Sequence, residues 1–135
     1  MTDAGTFTSK SPRPHKRDAA EQAKGFAVAC ARLMADFNCE EVVIFDVRGL
    51  SEVTDYVVIG TGTSDRQMRS VAEDLEDIGK EHDFQRYGAE DDEAATWIAA
   101  DFVEVVAHLF EPATRAHYDL EMMWGDAPRV SWHRG

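Results

Sequence analysis

A chain of 135 residues with 44% hydrophobic and 30% charged residues is long enough for one domain with a real core, and its composition lies far from that of disordered proteins. Its apolar runs are too short to span a bilayer, and a formal net charge of -12 repels phosphate backbones while attracting basic protein surfaces. Membrane insertion and direct nucleic-acid binding are thereby disfavoured.

Residues 1–17 hold Lys10, Arg13, Lys16 and Arg17 against the single acid Asp3, with Pro12 and Pro14 and almost no large apolar side chain. This stretch reads as a disordered basic tail, and its prolines exclude the amphipathic Arg-rich helix of a transit peptide. Asp18 with Glu21 resembles a capping box, and Phe26, Cys30, Leu33 and Phe37 follow at helical spacing, so a helix is expected near 19–37. Cys30 and Cys39 lack C-x-x-C spacing and follow no secretory signal. They are expected to be thiols buried as small hydrophobes, in a reducing, cytoplasmic compartment.

Val42 to Val47 and Tyr56 to Ile59 are β-rich runs whose near-continuous apolar character suggests central strands covered on both faces. Ser64 with Gln67 repeats the capping-box pattern ahead of Met68, Val71, Leu75 and Ile78, which predicts a helix over about 65–81. Phe84 to Tyr87 is a candidate short strand, and Glu90 to Glu93 an acidic loop. Thr96 to Ala100 and Val103 to Phe110 pattern as a hairpin. Pro112 suits the first turn of a last helix carrying Leu120, Met123 and Trp124 before Gly125 and Pro128. Arg129 to Gly135 shows no periodicity. Together these elements predict a single α/β domain over 18–128, a mixed β-sheet of about five strands with helices packed on it, flanked by the tails 1–17 and 129–135.

Few residues are arranged for chemistry. Gly60-Thr61-Gly62-Thr63-Ser64 lies between a strand and a helix start, where amide groups could hold an anion, but it lacks a phosphate-binding lysine and a full G-x-G-x-x-G. A tight turn ending in a helix cap accounts for the same residues. Asp46, Asp55, Asp65 and Asp101 form no D-x-D or D-x-E pair on a strand, and His108, His117 and His133 have no metal-ligand spacing. G-x-S-x-G is absent, and neither cysteine has a base nearby in sequence. No metal or cofactor is expected. An alternative reading keeps a nucleotidyltransferase-like enzyme that binds nucleotide at the Gly60 to Ser64 turn. What stands out is Trp97 beside an acidic loop, with Asp101, Phe102 and Glu104 at the adjoining hairpin turn, an aromatic among carboxylates that suits contact with a basic partner as well as a core position.

Residues 18–128 resemble the ribosomal silencing factor family, also known as RsfS or Iojap. The resemblance is carried by Asp46-Val47-Arg48-Gly49-Leu50, Thr54-Asp55-Tyr56, Thr61 to Gln67, Trp97 to Phe110, and Tyr118-Asp119-Leu120-Glu121 running to Pro128. It implies a nucleotidyltransferase-like fold without catalysis and a non-enzymatic translation repressor. Such a protein binds the large ribosomal subunit through its basic protein number fourteen and sterically blocks joining of the small subunit, and it can pair as a homodimer. It further implies partner-binding roles for Trp97, Asp101, Phe102, Glu104 and Glu90. The chain departs from the family pattern at Asp91 and Val103, where glycine is usual. A valine strongly disfavours positive φ, so a different turn is expected at Val103.

Overall fold

The computed structural model describes residues 16–91 and 96–133. In chain order the elements are α1 (Lys16–Asp36), β1 (Glu40–Asp46), β2 (Tyr56–Thr61), α2 (Asp65–Glu81), β3 (Gly88–Asp91), β4 (Trp97–Asp101), β5 (Val105–Phe110), α3 (Pro112–Tyr118) and α4 (Leu120–Met123). The strands form one five-stranded sheet in the order β1-β2-β5-β4-β3, in which β2 and β5 run parallel and the other neighbours antiparallel. The expected mixed α/β sheet with packed helices is therefore present.

Alternation along each strand divides the side chains between two faces. Val42 and Ile44 of β1, Tyr56 and Val58 of β2, Ile98 and Ala100 of β4, and Val105, Ala107 and Leu109 of β5 belong to one core cluster. They lie there with Phe26, Cys30 and Met34 of α1 and Met68, Val71 and Leu75 of α2. The opposite face carries Phe45, Val57, Ile59 and Phe110, with Val47 and Ala127 beside them. Both cysteines are free and buried, as expected. Desolvation pushes the Cys39 thiol up to about 11, so it is a protonated packing group at neutral pH.

Helix α2 matches its predicted span. Ser64 Oγ accepts from the Gln67 amide at 3.0 Å, and Gln67 Oε1 accepts from the Thr63 amide at 2.9 Å. The Gln67 side chain also donates to the Phe37 carbonyl at 2.8 Å, tying the start of α2 to the end of α1. Near its C-terminus, Gly79 is buried where a Cβ would lie 2.6 Å from the Phe84 carbonyl and 2.8 Å from the Phe102 ring. The absence of a side chain there lets the β4–β5 turn seat on α2.

Several expectations need correction. Helix α1 starts at Lys16, ahead of Asp18, while residues 1–15 of the basic tail lie outside the described residues. Strand β3 is Gly88–Asp91, so Phe84 to Tyr87 is not the strand, and Glu90 and Asp91 are strand residues. Residues 92–95 of the acidic loop lie outside the described residues. The last helix is two short ones, because Asp119 adopts φ 47° between them. Aspartate tolerates that left-handed conformation better than most residues.

Strand β1 is an edge strand rather than a central one. Its apolar character is explained by the stretch after Pro128, which covers the open edge. Asp46 N donates to Pro128 O at 2.8 Å and Val130 N to Ile44 O at 2.9 Å. At the bulge in β1, where Glu41 has φ 49°, the Val42 carbonyl accepts from the Trp132 indole at 3.0 Å. Arg32 then donates to the Trp132 carbonyl at 2.8 Å. An exposed strand edge invites pairing with other chains, and this strap occupies it.

Val103 departs from what its sequence prefers. The turn between β4 and β5 places it at φ 74°, held by Asp101 Oδ1, which accepts from its amide at 2.8 Å, and by Phe102 N donating to Val105 O at 2.9 Å. The positive-φ turn forms although a valine occupies it, because the bonds on either side over-determine it. Val103→Gly is expected to stabilise the protein by up to about 1 kcal/mol, since a left-handed non-glycine residue costs roughly 1–2 kcal/mol and glycine's extra chain entropy about 0.5–1 kcal/mol. A thermal melt showing a rise of a few degrees checks this. Trp132→Phe, which removes the indole donor but keeps an aromatic ring, is expected to raise hydrogen exchange at β1 amides before it lowers global stability.

Candidate functional site

The two helices of 21 and 17 residues pack on one face of the sheet. The opposite face is covered by α3 and α4, of 7 and 4 residues, the turn that follows them and the loop after β1 that carries Val47. These are held down by Arg115, a buried arginine that donates to Thr61 Oγ1 at 2.7 Å and to Glu121 Oε1 at 2.9 Å, joining α3, the end of β2 and α4. Cover this short leaves part of the sheet open. A groove of about 440 Å³ runs between the 51–54 loop and α4, floored by Val57, Ala99, Val106 and His108 and walled by Trp97 and Trp124.

Trp97, Ala99 and Asp101 of β4 and Val106, His108 and Phe110 of β5 reach this face by alternation. Trp97 is part-buried, stacked on Phe110 at 5.6 Å and on His108 at 5.9 Å, with Tyr118 tilted against it at 5.3 Å. Around the opening lie exposed apolar side chains, Val53, Tyr118 and Met123 among them, with Val53 81% exposed. An apolar patch of this kind on an otherwise acidic protein suits a partner surface better than solvent.

The expected site residues do not all converge. Trp97 and Asp101 line the groove, and Asp101 is exposed at its hairpin end. Glu104 lies in the same turn with a part-exposed side chain, and its carbonyl accepts from the amides of Asp55 and Tyr56 at 3.0 Å each. Phe102 is a correction: it is 1% exposed and meets the Phe26 ring edge-on at 4.9 Å in the helix-covered core. Being one residue beyond Asp101, it turns to the other face, and it presents no surface to a partner. Glu90 stands opposite Ala99 in the β3–β4 register, at the outer strand.

His108, for which the sequence showed only the lack of metal-ligand spacing, is one of the groove-lining residues that sequence reasoning missed, together with Val53, Leu120, Met123 and Trp124. The alternation of Val106, His108 and Phe110 opposite Trp97, Ala99 and Asp101 was the available signal for His108. The other four come from a loop, a short helix and its cap, whose placement no periodicity encodes.

The Gly60 to Ser64 turn offers little to a phosphate. The Gly62 amide donates to Phe110 O at 2.7 Å, the Thr63 amide goes to Gln67, and a Cβ at Gly62 would lie 2.2 Å from Met68 Cγ. These groups serve the β2–α2 connection. Asp46 forms a two-pronged pair with Arg48, at 2.9 and 2.7 Å, and that hydrogen bonding holds its carboxyl below the usual range. Among the described residues no group of three or more His, Cys, Asp or Glu is placed to hold a metal ion, and no helix is long and apolar enough to cross a membrane.

Comparisons with known proteins agree with one another. The ribosomal silencing factor RsfS of Bacillus subtilis is 37% identical over 93 residues, covering 69% of this chain and 79% of that protein. The mouse protein named mitochondrial assembly of ribosomal large subunit protein 1 is 32% identical over 95 residues, covering 68% of this chain and 42% of that protein. A crystal structure of a protein from Chromobacterium violaceum superposes with a TM-score of 0.70 at 26% identity, covering 86% of this chain and 93% of that one. Residues 19–134 match the family described as ribosomal silencing factor during starvation, and the chain belongs to that family.

Proposed function

We propose that this protein silences ribosomes in the cytoplasm by docking its open sheet face, around Trp97, on a basic protein of the large ribosomal subunit, the one numbered fourteen. The bulk of the bound domain then keeps the small subunit from joining and so represses translation. The mechanism needs no chemistry, only a surface that recognises and a body that obstructs.

The observation that carries this reading is Trp97 itself: a part-buried indole at the wall of an apolar groove, on the face that the long helices leave open, with Asp101 and Glu104 at the hairpin end. A rigid aromatic anchor beside a pocket is the commonest form of interface hot spot, and the acidic rim favours a basic partner. The formal charge of -12 adds long-range attraction to such a partner and repulsion from exposed rRNA. The name of the mouse relative ties that protein to the large subunit, which is consistent with the same partner here.

Cosedimentation with isolated large subunits in a sucrose gradient is the first test, and a protein that stays at the top of the gradient would sink the proposal. Trp97→Ala is expected to weaken binding to the isolated ribosomal protein by about 2 kcal/mol or more. It should cost less stability than the roughly 3–5 kcal/mol of a sealed aromatic. Melting and affinity measured on the same variant separate these. Asp101→Asn keeps the acceptor that holds the Val103 amide but removes the charge, and Glu104→Lys reverses a part-exposed charge. Both are expected to slow association, with the loss shrinking at high salt.

A further inference from the structure

Trp97 and His108 stand diagonally across the β4–β5 ladder, where Trp97 is opposite Phe110 and Ala99 is opposite His108. The indole Nε1–H of Trp97 donates to His108 Nδ1 at 3.1 Å. The two rings stack at 5.9 Å with an interplanar angle of 24°, and Phe110 stacks on both. Ala99 between them is too small to fill the space, so this aromatic wall borders the groove directly.

We propose that His108 is the positioning residue of the docking surface: it holds the Trp97 indole by its N–H, so that the ring's face is fixed toward the partner before contact. The proposal rests on Trp97 being the anchor. A tryptophan only part-buried at a groove wall keeps some side-chain freedom, and losing it on binding costs affinity. The hydrogen bond removes that cost in advance. It also occupies the ring's single donor, leaving an apolar face for an apolar group of the partner.

The bond requires a neutral imidazole that accepts at Nδ1. Burial lowers the His108 pKa to about 4, against the opposing pull of Asp101. Among the groove-lining residues Asp101 is the other charged group, and Tyr118 on α3 is the titratable neighbour through its contacts with Trp97 and Phe110. Because the folded pKa lies below the unfolded value of about 6.5, the unfolded chain binds more protons between the two. The stabilisation is therefore complete above about pH 6.5 and lost as pH falls through about 4.

The test uses the full chain, with the Trp97 indole resonance assigned by its disappearance in Trp97→Phe. His108→Phe keeps a stacking ring without the acceptor, and His108→Gln keeps an acceptor without the ring. His108→Phe is expected to expose the Trp97 indole proton to fast exchange and weaken affinity for the isolated ribosomal protein by several-fold to about tenfold, through faster dissociation. His108→Gln should recover much of both, and in the Trp97→Ala background His108→Phe should have no further effect on affinity. In the parent, indole protection should vanish as pH falls through about 4. Unchanged affinity in His108→Phe, with Trp97→Ala still weakening binding, would overturn the positioning role and leave the anchor intact. Unchanged affinity in Trp97→Ala removes the anchor and this proposal with it. Should His108→Phe fail to fold, His108→Gln and the indole pH profile decide: a His108→Gln variant that binds no better than Trp97→Ala, or protection persisting well below pH 4, refutes the assignment.

Discussion

A β-sheet has two faces, and this chain has long helices for only one of them. The pleat sends Val105, Ala107 and Leu109 of β5 beneath α1 and α2 and sends Val106, His108 and Phe110 to the other side. Burying the first set supplies the core; the second set must find other cover. Helices α3 and α4 with the turn after them cover Phe45, Ile59 and Phe110 but leave Val57, Ala99, Val106 and the outer part of Trp97 facing the groove. The groove is the consequence of that unequal cover, and the functional reading follows from the groove.

On this second face the polar groups are paired within the protein. The Trp97 indole is held by His108, and the Arg115 guanidinium by Thr61 and Glu121. Internally satisfied groups make a surface that recognises shape and apolar area and has few free donors for a phosphate or a metal ion. The same holds at the Gly60 to Ser64 turn, where the amides that resemble a phosphate cradle are already committed to Phe110 and Gln67. A surface built this way suits protein recognition, in keeping with membership of a family named for ribosome silencing.

The edges of the sheet are treated differently from one another. Strand β1 is covered by the stretch around Val130 and Trp132, which takes up the carbonyls of Ile44 and Val42. At the other side β3 lies outside β4, its Gly88 to Asp91 matching Asp101 to Ile98. The acidic hairpin end joins β4 and β5, and the groove beside it reaches across β5 to Val57 of β2 and the 51–54 loop. Asp101 thereby borders the apolar groove, an arrangement that suits a basic partner with apolar anchors.

Much of this was legible in the sequence because the signals are local. Helix α2 was readable from Ser64, Gln67 and the 3.6-residue spacing of Met68, Val71 and Leu75, and the β4–β5 hairpin from its alternating runs. Both depend on neighbours within a few residues. The acidic balance and the segments from Asp46 to Pro128 likewise sufficed to place the chain in its family. What sequence could not supply were the outcomes of distant encounters. Val42 to Val47 has the composition of a central strand, yet it forms an edge, because Val130 and Trp132, the latter 90 residues beyond Val42, cover it. Phe102 and Trp97 were both expected at the partner surface, but the pleat and Phe26 sent Phe102 inward, and the short cover of α3 and α4 left Trp97 part-buried at the groove. Even Val103 shows the order of precedence: its side chain prefers negative φ, and bonds from Asp101 and Val105 impose the opposite. Local preference is worth about a kilocalorie per mole, while the packing and hydrogen bonds that fix a tertiary position add up to more, so tertiary structure decided each of these.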